Sequence, residues 1–298
     1  MKQITVFFEG LGLPMFSFNR VAFTLFGKVD VYWSALVILL ASVIGLILAL
    51  HRGKKRERIA VFDLLEIALC ALLGSRILPL IAQYGGLSSL KHAQALELWG
   101  SIVLAVLFAL VASRLLKLRW QKAADALAPA LLLGIAVWVW ASFADGSGSG
   151  AGILSDRAVL RLFGKEIALP AGEGTLLWFF RMGLYPNTAV PGYLVFFHPL
   201  FLFTSVWCLA GFVLVSLFYR HKLYDGQVFL LAVIWFSLGL VFPAGLSVHA
   251  LASQVQWVAG LSALLGIICL IERGAVYGRA KKRLDAGLLV RVREEENE

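Results

Sequence analysis

Residues 31–50 read VYWSALVILLASVIGLILAL, and residues 51–58 behind them read HRGKKRER. The first stretch holds no acid, lysine or arginine, and its length is what a helix needs to cross a hydrocarbon layer, roughly 20 residues at about 1.5 Å each. The basic cluster that closes it marks a membrane boundary. Working outward, six further apolar runs have the same character, at 61–83, 96–113, 123–144, 199–219, 227–246 and 255–272. The whole chain agrees, with 298 residues of which 60% are hydrophobic and 15% charged. A soluble domain would carry about 25% charged residues. The net charge of +9 would suggest nucleic acid in a soluble protein. Here the basic residues sit in short clusters between apolar runs, so they report topology, and no nucleic-acid partner is expected.

The clusters alternate. Arg52, Lys54, Lys55, Arg56 and Arg58 follow the first run. Arg114, Lys117, Arg119 and Lys122 follow the third, Arg220 and Lys222 the fifth, and Arg273, Arg279, Lys281, Lys282, Arg283, Arg291 and Arg293 the seventh. The other side is sparse, and its Arg157, Arg161, Lys165 and Arg181 lie in a long segment that weighs little in such a count. The positive-inside rule then predicts seven transmembrane helices with the N-terminus outside and the C-terminus in the cytoplasm. Trp33, Trp99, Trp178 and Tyr185 fall near the predicted interfaces. The expected fold is an all-α polytopic membrane helix bundle, with one integral domain over 1–278 and a disordered, charged cytoplasmic tail over 279–298. Residues 145–198 form the outer segment. Its Gly146–Gly152 run reads as a flexible linker. Val159–Leu169 is amphipathic and Leu176–Arg181 aromatic, and both read as pieces lying on the membrane surface. Residues 1–30 lack the continuous apolar run of a cleaved leader. Cys70, Cys208 and Cys269 lie within apolar runs and say nothing of redox compartment.

The polar motifs carry a family resemblance. Val21–Gly27 followed by Val31-Tyr-Trp-Ser-Ala-Leu36 resembles the opening of the prolipoprotein diacylglyceryl transferases, where a short outer segment enters the first helix through Trp-Tyr-Gly-Leu. Gly74-Ser-Arg76 resembles that family's Gly-Ala-Arg. Asp125-Ala-Leu-Ala-Pro129, with Gly134 behind it, resembles the Asp-x-x-Ala-Pro entry of its fourth helix. His198-Pro199 resembles the start of its His-Pro-x-Gln-Leu-Tyr-Glu motif, and Gly226-Gln227 the turn before its sixth helix. The matches run in order over about residues 18–275. The resemblance implies an enzyme of the bacterial plasma membrane, without cofactor or metal, that moves the diacylglyceryl group of phosphatidylglycerol onto the cysteine thiol of a lipoprotein precursor.

That chemistry must hold an anionic phosphodiester, stabilise departing glycerol phosphate and activate a thiol. Arginines suit the first two tasks, and a base or cationic field the third. Here the chain departs from the family pattern. Where Gly-Arg-x-Gly-Asn-Phe-x-Asn should follow Gly134, it reads Trp138-Val-Trp-Ala-Ser-Phe-Ala-Asp145. The family's His-Gly-Gly becomes Leu98-Trp-Gly100, and the Tyr of its first motif becomes Ser34. Phe201, Phe203 and Thr204 stand for the Gln, Tyr and Glu after His198-Pro199. The arginine and glutamate of the sixth helix fall near Leu240 and Pro243. Polar groups in lipid are expensive and usually kept for function. Their replacement by apolar residues points to a degenerate lipid-binding paralog with low or no transferase activity.

The remaining candidates are few. Arg76, Arg181 and His198 are the candidate lipid-binding residues, and His198 and Asp145 the candidate catalytic residues, Asp145 being the acid nearest the lost signature. Asp125 is expected to cap its own helix, and Asp63 and Glu66 to pair with first-loop arginines. His92 and His249 carry no spacing signal. Metal-ligand clusters, phosphate loops and nucleophile elbows are absent from the sequence. Two alternatives stay open: an active transferase with a divergent site, and a small-solute transporter, for which the internal repeat is missing.

Overall fold

The computed structural model describes residues 3–26, 29–57, 107–117, 119–153, 157–185, 195–247 and 252–295, with isolated positions between 65 and 104. Five described segments are long and apolar enough to cross a membrane: Trp33–Lys55, Trp120–Ala144, Leu200–His221, Gln227–Gly245 and Ala252–Arg283. They coincide with the first, fourth, fifth, sixth and seventh expected spans. The second and third fall largely outside the described residues, although residues 107–115 of the third are helical. The helices are α1 (Trp33–Arg52), α2 (Trp120–Trp138), α3 (Trp140–Ala144), α4 (Leu176–Phe179), α5 (Leu200–Phe218), α6 (Gln227–Gly245) and α7 (Ala252–Glu295). The last continues as one helix past residue 279, where the sequence suggested a disordered tail.

Helix α2 is the centre of the bundle and packs against α1, α5 and α6. Its composition explains this. Ala123, Ala126 and Ala130 meet Ala49 and Ala112 on one side. A Cβ placed on Gly134 would lie 3.6 Å from the Ala41 carbonyl, so the α1 and α2 backbones run close together. Between membrane helices there is no water to expel, and small residues gain packing through such close approach. The other side of α2 sets Ala128 and Leu132 against Val215, Tyr219, Val228 and Ala232. Helices α5 and α6 are locked by a reciprocal tryptophan pair. Trp207 Nε1 donates to the Trp235 carbonyl at 2.8 Å, Trp235 Nε1 donates to the Trp207 carbonyl at 2.9 Å, and the rings stack at 4.5 Å. Each indole lies where a Cβ on Gly211 or Gly239 would stand.

Asp125 does not cap its own helix, because α2 begins at Trp120 and Asp125 lies a full turn inside it. Fully buried, it caps α6 instead. Its carboxylate accepts from the amides of Gly226 at 2.8 Å and Phe229 at 2.9 Å, and from Lys222 Nζ at 3.3 Å. Gly226, at φ +94°, supplies the left-handed turn that aims these amides at it.

The all-α expectation holds for the bundle and fails at one end of it, where the described residues form nine strands. β1 (Gln3–Phe8), β2 (Leu13–Asn19), β8 (Met182–Tyr185), β9 (Val195–Pro199) and β5 (Ser149–Ile153) form an antiparallel sheet in the order β2-β1-β8-β9-β5. β3 (Val21–Leu25) pairs with β4 (Val29–Tyr32), and β6 (Arg157–Leu162) with β7 (Lys165–Pro170). The alternation in β1 is plain, with Ile4, Val6 and Phe8 buried. These three join Met182 and Phe201 in one core, so that face of the sheet sits on the helix ends.

One expectation for residues 145–198 is corrected and another gains its secondary structure. The Gly146–Gly152 run is not a flexible linker. It enters β5, where Ala151 N donates to the Leu246 carbonyl at 2.6 Å and a Cβ on Gly150 would stand 2.7 Å from that same oxygen. Its glycines permit close backbone packing. The stretch Val159–Leu169, read as an amphipathic surface piece, is a β-hairpin with Val159, Phe163 and Ile167 exposed, turning at Phe163 (φ +50°) and Gly164 (φ +88°). Buried Gln256 of α7 fastens it, accepting from Phe163 N at 2.8 Å and donating to the carbonyls of Arg161 at 2.7 Å and Val241 at 2.9 Å.

Candidate functional site

Of the candidate site residues read from the sequence, Arg181, His198 and Asp145 lie at the β-rich end of the bundle. Helix α2 ends at Trp138, and α3 continues with Trp140, Ser142 and Phe143. Trp140 Nε1 donates to Ser205 Oγ at 3.1 Å, and Ser205 Oγ donates to the Ala136 carbonyl at 2.8 Å. This fixes α3 against α5. The space between them is filled by rings. Trp140 lies 5.1 Å and Phe143 4.8 Å from Phe201, and Phe18 of β2 lies 5.6 Å from Phe143. A second aromatic series runs from Phe180 to Phe203 at 6.3 Å and on to Phe242 of α6 at 6.0 Å. Phe201 and Phe203 are the positions where the resembled pattern carries Gln and Tyr. The apolar fill there is therefore a packed structure, supported by edge-to-face geometry.

Around this fill lie three side chains with buried polar atoms that have no partner among the described residues: His198 Nδ1 and Nε2, Arg181 Nε and Arg20 Nε. His198 stands on β9, one residue before Pro199 and α5, and is fully buried. Burial pushes its pKa down to about 4, so the ring is neutral near pH 7 and a weak base. Arg181 pairs with Glu9, in the turn just after β1, and lies over Phe196 at 4.1 Å and Trp178 at 4.9 Å. Its charge is thus already matched by a carboxylate, which reduces its pull on a phosphate. Asp145, the other catalytic candidate, is exposed just after α3, and the structure makes no hydrogen bond between it and His198. Arg76 lies outside the described residues, as do Asp63, His92 and His249.

Arg20 is the residue that sequence reasoning missed, because a single arginine ahead of the first span reads as a topological charge. In the fold it sits beside the glycine-rich run. Gly146 is at φ +72°, and a Cβ there would stand 3.1 Å from Arg20 Nη2. Among the described residues, acidic and His/Cys side chains form no group able to hold a metal ion.

A helix bundle with apolar spans and a strand-built cap over its helix ends defines a polytopic membrane protein with its candidate site at one membrane face. The family model for prolipoprotein diacylglyceryl transferase matches residues 20–272, and the chain belongs to that family. It is 30% identical over 280 residues to a phosphatidylglycerol–prolipoprotein diacylglyceryl transferase of Bacillus licheniformis, covering 89% of this chain and 96% of the relative. A protein of the same name from Listeria welshimeri is 29% identical, covering 86% and 88% of the two chains. One from Clostridioides difficile is 25% identical, covering 84% and 92%. The family is one of membrane enzymes of lipoprotein biosynthesis.

Proposed function

We propose that this chain is a degenerate member of the family. It sits in the bacterial plasma membrane with seven spans, N-terminus outside, binds phosphatidylglycerol at its outer, β-rich end, and has low or no transferase activity toward a lipoprotein precursor. The observation that carries this reading is the aromatic fill of Trp140, Phe143, Phe201 and Phe203. Transfer needs preorganised donors at the phosphodiester, and loss of one such donor costs roughly a hundred- to a thousandfold in rate. Replacing several with rings removes the donors and the water-sized space together. Among the described residues, Arg20, Arg181 and His198 are the side chains left to hold a headgroup, and Arg76 remains a candidate from the sequence.

The test uses purified protein, phosphatidylglycerol and a lipobox peptide, with glycerol phosphate release as the readout. We expect turnover at least about a thousandfold below that of an intact relative run in parallel. A second reading, an active transferase with a divergent site, is favoured by His198, whose two ring nitrogens are buried without a partner. Turnover near that of the relative, abolished by His198→Ala, would establish it and overturn the first.

A further inference from the structure

At the end of the bundle remote from the strands, α1 and α5 do not close on one another. A cavity of about 450 Å³ lies between them, lined by Leu48, His51, Arg52 and Lys55 from the α1 side and by Phe212, Val213, Ser216, Leu217, Tyr219 and Arg220 from the α5 side. Its lining is divided by chemistry. The rim carries Arg52, Lys55 and Arg220 with the imidazole of His51, and the wall toward the bundle middle is Leu48, Phe212, Val213 and Leu217. Arg52 crosses the gap, donating to Ser216 Oγ at 2.9 Å with its guanidinium 5.7 Å from the Phe212 ring and 5.4 Å from the Tyr219 ring. That span holds the two helix ends at a fixed separation, so the gap is a built feature.

We infer that this cavity binds the headgroup of an anionic phospholipid, its phosphate held by Lys55, Arg220 and His51 and one acyl chain lying against α5. Charge complementarity selects the headgroup, since the rim is cationic and, among the described residues, the lining contains no acid. The apolar wall selects a lipid over a free phosphate. Val213 and Leu217 are more than half exposed, and the same exterior line continues through Val206 and Leu209, which is the shape of an acyl-chain track. The site is distinct from the β-rich end and does not depend on whether transfer survives there. Its leaflet follows from the orientation proposed above, and the binding itself does not.

Basic side chains near a membrane surface are each worth about 1 kcal/mol toward anionic lipid, so removing two should weaken binding at least about tenfold. Full-length protein in detergent would be titrated with phosphatidylglycerol or phosphatidylcholine and read by native mass spectrometry. Wild type should retain phosphatidylglycerol over phosphatidylcholine. The Lys55→Gln/Arg220→Gln variant should lose at least about tenfold in phosphatidylglycerol affinity. Lys281→Gln/Lys282→Gln, an equal charge change on α7, should behave as wild type, and inorganic phosphate should not compete. Thermal unfolding of the two variants separates a lost site from a lost fold, and Lys55→Met/Arg220→Met gives a second, uncharged replacement if the first does not fold. Unchanged affinity in both Lys55/Arg220 variants, an equal loss in the α7 variant, or competition by millimolar phosphate would each overturn the inference.

Discussion

The two ends of the bundle treat buried polar groups in opposite ways. At the end bearing Asp125, the buried carboxylate accepts from Gly226 N, Phe229 N and Lys222 Nζ, and Lys222 also pairs with Asp225 at 3.5 Å. At the β-rich end, His198 is equally buried and has no partner among the described residues, and Arg181 and Arg20 each keep one buried nitrogen unbonded. A buried polar group without a partner forfeits its hydration, a cost of about 1–3 kcal/mol that packing around it does not return. The difference separates roles. Asp125 is retained because the fold needs it, whereas His198 stands where the fold would be better served by an apolar residue of similar size.

The largest effect should come from the paired end. Asp125→Ala removes the acceptor of two amides and one of the two carboxylates that face Lys222. Each buried amide left without an acceptor costs about 1–3 kcal/mol. The expected outcome is a large fall in the unfolding temperature of the detergent-solubilised protein. A fall of only a degree or two would mean that the α6 cap is dispensable and that the contrast between the ends is wrong.

His198 gives the next largest effect, and it has a sign. Folding lowers its pKa from 6.5 to about 4. Between those values the unfolded chain binds a proton that the folded protein refuses, so stability is full above pH 6.5 and falls as pH drops toward 4. The loss is at most about 3 kcal/mol over that window. His198→Phe should flatten this acid slope and leave stability at pH 7.5 unchanged or raised. An unaltered slope in the variant would show that another group titrates, and a collapse at pH 7.5 would give His198 a structural role.

How much of this was legible beforehand depended on whether a signal was local. The five described spans, the Gly226 turn and the position of His198 before α5 follow from hydropathy, glycine chemistry and the preference for Pro at a helix start. The strands did not show, although Ile4, Val6 and Phe8 alternate cleanly, because a short alternation is weak beside a long apolar run and, of the two partners of β1, only β2 is near in sequence while β8 lies at Met182–Tyr185. The same distance hid Arg20, which becomes interesting only when Gly146 is folded against it. Asp125 was placed on the correct helix and given the wrong partner, since a carboxylate near a helix start caps that helix unless a neighbouring one ends beside it. The glycine run failed for a further reason: glycine permits both a loose linker and the tightest backbone contact, and composition cannot separate the two.

The smallest effect tests whether the β-rich end also has paired groups that serve the fold. Gln256 is nearly as buried as His198, but it is satisfied, with its amide oxygen on Phe163 N and its amide nitrogen on the carbonyls of Arg161 and Val241. It joins α7, α6 and the β6–β7 hairpin. Gln256→Leu keeps most of the volume and removes all three bonds. The Phe163 amide at the hairpin turn would then have to be hydrated or left bare, at a cost of about 1–3 kcal/mol. The variant should therefore unfold earlier at every pH, unlike His198→Phe, and the change should be local. Hydrogen exchange should accelerate in residues 157–170 while α2 and α5 stay protected, because the hairpin is held to the bundle at this point and the bundle is held by its own small-residue packing. If Gln256→Leu were neutral and exchange unchanged, buried bonding at this end would not discriminate fold from site, and the unpartnered state of His198 would lose its meaning as the mark of a site.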